Sequence, residues 1–173
     1  VTPSGAVTTA YISFGSNLGD RHATLAAAYK ALTIGPAIRP LRASRLYETA
    51  PVGGPGGQGR FLNTVLAIET DLEPHALFAR CMAVERQFRR ERKIRWDART
   101  LDLDVLLYGD DVIRTADLEI PHPRMHLRRF VLVPLADIAA EAIHPVLGES
   151  VKDLLARLAV EPGDVYPIAD TWT

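Results

Sequence analysis

The chain has a single cysteine, Cys81, among its 173 residues. One thiol excludes an intramolecular disulfide and any cysteine-based zinc site, and it fits a reducing compartment. No apolar run approaches the ~20 residues of a membrane span, so no membrane partner is expected. The first residues carry neither a basic region nor a continuous apolar one, and no secretory signal is expected there. An excess of either charge is also missing: 20 Lys and Arg stand against 21 Asp and Glu, a formal net charge of −1. The bulk electrostatics therefore recruit neither nucleic acid nor an anionic membrane. Aromatic residues make up only 7% of the chain, which lacks the repeated exposed aromatics and basic balance of an RNA-binding sheet. The glycine turn Gly15-Ser16-Asn17-Leu18-Gly19-Asp20 lacks the Gly-Lys-Ser/Thr ending that sets a lysine on phosphate. No Ser, His and acid spacing suggests a nucleophile elbow, and His75, His122, His126 and His144 lack zinc-site spacing. The expectation is a soluble, cytoplasmic, single domain spanning 1–173, long enough for one core, and working as a monomer.

The most informative stretch runs from Arg99 to Gly109. Leu101, Leu103, Val105 and Leu107 alternate with Asp102 and Asp104, so a strand would put the apolar side chains on one face and both carboxylates on the other. The two acids would then lie ~7 Å apart along the chain. Like charges on a half-buried strand cost several kcal/mol unless a cation or strong donors compensate. Hard oxygen ligands suit Mg²⁺, which uses one or two carboxylates and completes its shell with phosphate oxygens and water. Upstream lie Arg86, Arg89, Arg90, Arg92, Lys93, Arg95 and Arg99, with Trp96 among them. Carboxylates for metal beside arginines for phosphate is the arrangement phosphoryl transfer needs. The competing readings are a surface salt-bridge pair and a solvated basic loop.

In chain order, Thr9 to Phe14 reads as a strand, and Asp20 as the cap of a helix carrying Leu25, Ala28, Tyr29 and Leu32 on one face. Ile38 to Tyr47 reads as one extended segment, with Pro40 marking an edge. A Gly/Pro loop from Pro51 to Gly59 precedes a strand over Phe61 to Thr70. Alternation projects Phe61 and Asn63 together, which suits a flat heteroaromatic ligand; the competing reading is a core phenylalanine beside a loop-capping amide. A helix follows from Pro74 to about Phe88, with Cys81 on its apolar face as a small core residue. The arginine-rich segment reads as a loop. Strand, helix, strand, strand, helix, strand is the ferredoxin-like βαββαβ order, an α+β class. Further helices over Arg128–Ala140 and from Ser150 to Leu158 would cover the second sheet face, giving three α-β-α layers. The tail from Glu161 carries no legible pattern.

Six blocks occur in an order that resembles one known family: Gly15–Asp20, Tyr47-Glu48-Thr49-Ala50-Pro51, Phe61-Leu62-Asn63, Arg99-Thr100-Leu101-Asp102-Leu103-Asp104, Pro121-His122-Pro123-Arg124-Met125, and Arg128-Arg129-Phe130-Val131-Leu132. The chain is similar to the 6-hydroxymethyl-7,8-dihydropterin pyrophosphokinases across roughly residues 10–158, its core. The resemblance implies transfer of the diphosphate of ATP to the pterin hydroxymethyl group, releasing AMP, in folate biosynthesis. It implies that Asp102 and Asp104 hold two Mg²⁺ ions, and that Arg90, Arg92 and Arg99 neutralise charge on the transferred group. Asp104 counts among the catalytic residues in this reading. Glu85, Arg92, Trp96, Arg99, His122 and Arg128 match ATP-site positions, while Thr49, Ala50, Val52, Phe61, Asn63 and Phe130 match the pterin site. Arg89 and Ala98 depart from the family's usual glycine and proline. Two alternatives stay open here: a nucleotide-sugar transferase that also uses Asp-x-Asp, and a non-catalytic pterin or nucleotide sensor.

Overall fold

The computed structural model describes residues 6–17, 19–51, 59–90 and 101–173, with the side chains of 89 and 90 excepted. Alternating residues carry β1 (Thr8–Ser16), which leads into α1 (Arg21–Leu32). Asp20 caps that helix as expected, its carboxylate accepting from the Ala23 N–H at 3.0 Å. Strands β2 (Ile38–Ala43), β3 (Leu46–Thr49) and β4 (Phe61–Thr70) come next. Helix α2 (Pro74–Arg90) and β5 (Asp102–Tyr108) close the predicted repeat. Beyond it lie β6 (Ile113–Arg114), β7 (Glu119–Ile120), a single helical turn at Met125–Leu127, α3 (Arg129–Ala139), α4 (Val151–Ala156) and β8 (Val165–Ala169).

The main sheet is antiparallel throughout, in the order β5-β1-β4-β3-β8, with β2 also paired to β4. Its first four positions reproduce the ferredoxin-like arrangement. Helices α1 and α2 bury Leu25, Leu32, Leu77 and Cys81 against Ile12, Phe14, Leu66 and Leu103 on one face. Helices α3 and α4 bury Val131, Leu132, Leu135 and Leu154 against Val65, Leu106 and Leu107 on the other. The three layers are therefore α-β-α.

Three expectations change. The segment Ile38–Tyr47 is two strands, because Ser44 turns inward between them. The Ser44 N–H still donates to the Val65 carbonyl at 2.9 Å, but its hydroxyl accepts from the Val65 N–H at 2.9 Å and meets Thr64 Oγ1 at 2.9 Å. Pro40 lies on β2, which pairs with β4 alone, an edge position of the kind that tolerates proline. Second, Leu107 does not share a face with Leu101, Leu103 and Val105. Across β1 and β5, Ile12 faces Val105 whereas Tyr11 faces Leu107, so Leu106 is the extra residue of a bulge that reverses the alternation. Leu106 and Leu107 both enter the core under α3. Third, the tail is structured. β8 extends the sheet beyond β3, and Trp172 is buried with its ring 5.2 Å from Phe14 and 5.7 Å from Tyr29. The Trp172 indole N–H donates to the Ser44 carbonyl at 3.1 Å.

Candidate active site

Helices α3 and α4 cover only part of their sheet face, and the uncovered part is a cleft of about 220 Å³. Its floor is set by strand register. Asp102 faces Gly15 across β5 and β1, Gly15 faces Asn63 across β1 and β4, and Asn63 faces Tyr47 on β3. Two residues along, Asp104 faces Ser13. A row across four strands thus joins a carboxylate to a carboxamide through a glycine. That glycine is required, because a Cβ at position 15 would sit 2.9 Å from Asn63 Oδ1. Sequence reading placed Gly15 in the turn; the structure keeps it in β1, where it makes room for the amide.

The far wall holds Thr49, Ala50 and Phe61. Asn63 Nδ2 donates to Thr49 Oγ1 at 2.6 Å, both residues being buried, which fixes the carboxamide plane. The Ala50 N–H is committed to the Asp164 carbonyl at 3.0 Å, so Ala50 offers a ligand its own carbonyl. The roof comes from the start of α3, where the Arg128 guanidinium lies 5.5 Å from the Phe130 ring centre. Phe61 and Phe130 both line the cleft, together with Val131.

His122 closes the carboxylate end. Its N–H donates to the carbonyl of the bulged Leu106 at 3.0 Å, so the bulge also anchors this loop to β5. Its Nδ1 accepts from the Arg124 N–H at 3.2 Å, which puts the ring proton on Nε2. Burial lowers the His122 pKa below its ordinary 6.5; the Asp104 carboxylate raises it, and Arg128 and Arg124 lower it. The imidazole is therefore neutral at pH 7, a donor through Nε2 beside two acids.

Glu85 stands apart from this lining. It projects from α2 on the opposite face, 6% exposed, and its Oε1 accepts from the Leu103 N–H at 2.8 Å. Leu103 lies between the two aspartates on a strand at the sheet edge, so Glu85 holds their backbone. Cys81, in the same layer, has its thiol pKa pushed up to about 12, first by burial and then by the Glu85 and Asp104 carboxylates. It is an inert core residue. Val52, Arg92, Trp96 and Arg99 lie outside the described residues, as does the side chain of Arg90 at the end of α2. Ser13 joins the lining without having been singled out in the sequence, and Gly15, expected only as a turn residue, joins it from β1. Their signal was cross-strand pairing with Asp104 and Asp102, which one strand's pattern does not reveal.

The donor set fits a hard divalent cation. Two carboxylates share one face of β5, and among the described residues no group of three His, Cys, Asp or Glu side chains could enclose a metal. Such a pair leaves coordination positions for phosphate and water, as Mg²⁺ prefers, and does not make a closed structural zinc site.

Paired acids and, across one strand, an amide with two phenylalanines line one cleft on a face of an antiparallel α+β sheet. The model of the 7,8-dihydro-6-hydroxymethylpterin-pyrophosphokinase family matches residues 11–140, and the chain belongs to that family. It is 41% identical over 152 residues to the 2-amino-4-hydroxy-6-hydroxymethyldihydropteridine pyrophosphokinase of Methylorubrum extorquens, covering 88% of this chain and 94% of the relative. The Bacillus subtilis enzyme of the same description is 43% identical over 132 residues, 76% of this chain and 78% of its own length. Among solved structures, the fold is shared with Plasmodium falciparum HPPK-DHPS at a TM-score of 0.70 and 13% identity. That match covers 90% of this chain and 44% of the Plasmodium one, so the chain spans under half of the larger protein. The activity is pyrophosphoryl transfer from ATP to hydroxymethyldihydropterin in folate biosynthesis. Among the described residues no helix is long and apolar enough to cross a membrane.

Proposed function

We propose that the cleft is where this transfer occurs, with the nucleotide at the aspartate end and the pterin at the phenylalanine end. The supporting observation is that one cleft joins Asp102 and Asp104 to Phe61, Asn63 and Phe130. Asp102 and Asp104 would hold two Mg²⁺ ions, which when bound neutralise triphosphate charge and acidify the attacking hydroxyl. The chain's own groups do the rest. Phe61 and Phe130 stack the pterin ring, and Asn63, held by Thr49, reads its edge together with the Ala50 carbonyl and Val52. This leaves the hydroxymethyl oxygen pointing along the floor towards β5. His122 donates from Nε2, and Arg128 supplies positive charge, on the nucleotide side. Arg90, Arg92 and Arg99 meet the charge that builds on the bridging and leaving oxygens as the β-phosphorus is attacked, and Trp96 covers the site. Glu85 serves the ATP site through the β5 backbone. The chain works as a single-domain monomer, without nucleic acid or membrane.

Incubation with ATP, Mg²⁺ and 6-hydroxymethyl-7,8-dihydropterin, followed by separation of the nucleotides, tests the reaction. Pterin-dependent AMP without ADP is the expected product, reporting attack at the β-phosphorus. ADP would mean γ-phosphoryl transfer instead, and neither nucleotide would point to a sensor. Omitting Mg²⁺ abolishes AMP release if the aspartates act as metal ligands, and restored turnover with Mn²⁺ is expected because it accepts the same oxygen donors.

A further inference from the structure

Three segments that wall the cleft converge on one turn outside it, residues 161–164. Ala50, at the end of β3, donates its N–H to the Asp164 carbonyl at 3.0 Å. Arg60, immediately before Phe61, donates from Nη2 to the Gly163 carbonyl at 2.6 Å and lies 4.9 Å from the Tyr166 ring centre. Arg129, between Arg128 and Phe130, donates from Nε to Asp164 Oδ2 at 2.9 Å, with the two side chains 18% and 22% exposed. The turn is closed by the Asp164 N–H bonding the Glu161 carbonyl at 3.1 Å, with Gly163 at φ +71°. β8 then pairs Val165 with Thr49.

We propose that Asp164 is a positioning residue for the pterin acceptor, fixing the Phe130 wall against the Ala50 and Phe61 wall and so setting the width of the slot between them. The inference rests on the stacking of the pterin between Phe61 and Phe130. Helix α3 is tied to the sheet at both ends. Tyr47 donates its hydroxyl to Asp137 at 2.6 Å near one end, and Arg129 reaches Asp164 at the other. The first turn of α3 has no side-chain cap; Val131 and Leu132 seat it on the core, and the Arg129 ion pair adds a directional tie at the end bearing Phe130. A stacked ring tolerates little slack, because a gap of about 0.5–1 Å forfeits a quarter to a half of the dispersion attraction. The aspartates lie across β1 and β4 from this joint, so loosening it weakens pterin more than nucleotide, which it reaches only through Arg128.

The test is Asp164→Asn, which keeps the backbone bond to Ala50 and removes the charge facing Arg129. Pterin is titrated by its fluorescence in the presence of a non-hydrolysable ATP analogue and Mg²⁺, and the analogue is titrated separately. The expected result is a pterin Kd weakened about ten-fold with the analogue's Kd unchanged within about two-fold. At saturating pterin, kcat holds within about three-fold, and Arg129→Gln combined with Asp164→Asn weakens pterin no further than either alone. An unchanged pterin Kd overturns the proposal, as does equal weakening of both ligands with a lowered Tm, which marks a purely structural role. Phe61→Ala and Phe130→Ala separate the two levels. If neither weakens pterin, the stacking reading fails and takes this one with it; if both do and Asp164→Asn does not, the positioning role alone is wrong.

Discussion

Asp102 and Asp104 occupy alternate positions on one face of an edge strand, with Leu103 buried between them and held by Glu85. Asp104 is exposed and Asp102 half-buried, so the fold should persist when either carboxylate is removed while the chemistry fails. Asp104→Ala is expected to lower kcat by about 10³-fold or more, the scale of a lost electrostatic stabiliser, while Tm stays within about 3 °C. Steady-state rates alongside a melting curve check both; near-normal turnover would remove the aspartates from the mechanism. The histidines make a second prediction at this scale. His122 and His144 both have pKa values lowered from 6.5, chiefly by burial. Their unfolded forms take up protons near pH 6.5 while the folded forms resist, so the unfolded state binds more protons as acid is added. The associated stability is full above pH 6.5 and is lost as the pH falls towards the lowered folded values. Tm measured from pH 7.5 down to about 5.5 should decline, and His144→Gln should flatten the decline without changing kcat. A Tm independent of pH in both proteins would contradict the assignment.

At the scale of elements, what shows in one strand's pattern differs from what depends on its neighbours. Alternation along β4 put Phe61 and Asn63 on one face, and both line the cleft. Caps at Asp20 and Ser150 were legible because side-chain capping is local, and Ser150 Oγ does accept from the Asp153 N–H at 3.2 Å. The bulge at Leu106 was not legible, since an extra residue is defined only against the partner strand. Gly15 was read as a turn residue for the same reason: its need for a bare Cα comes from Asn63, far away in sequence. Gly15→Ala is therefore expected to displace the carboxamide and raise the pterin KM about ten-fold, with a smaller effect on the ATP KM. Serine at 15 should behave like alanine, and equal KM changes for the two substrates would count against a local clash. The tail was illegible because Pro162, Gly163 and Pro167 mask any period, yet Trp172 fills the core beside Phe14 and Tyr29. Trp172→Ala should cost about 3–5 kcal/mol. That corresponds to a Tm lower by about 10 °C in a chain of this size, readable by calorimetry.

Across the whole molecule, one sheet serves two purposes. Its α1/α2 face is a closed core, whereas the other is divided between the core under α3 and α4 and the open cleft. Charge is divided in a parallel way. The chain is nearly neutral at −1, yet seven basic residues crowd positions 86–99 beside the two aspartates in sequence. Net charge therefore contributes little to attracting a polyanion, and in the proposed reading the local cluster supplies the attraction. ATP carries about four negative charges near neutral pH, about two of them offset by a bound Mg²⁺, whereas the pterin is uncharged and in the proposed reading is held by stacking and hydrogen bonds. Raising salt shortens the Debye length from about 30 Å at 0.01 M to about 8 Å at 0.15 M, which screens the first interaction and leaves the second nearly untouched. The ATP KM, measured at saturating Mg²⁺, should rise several-fold across that range, and the pterin KM should stay within about two-fold. Replacing Lys93 and Arg95 with glutamine should flatten the ATP response, since screening acts only on charge that is present. If both substrates responded to salt alike, the division into a charged end and a stacking end would be wrong, because the two ends differ physically in the forces that salt can reach.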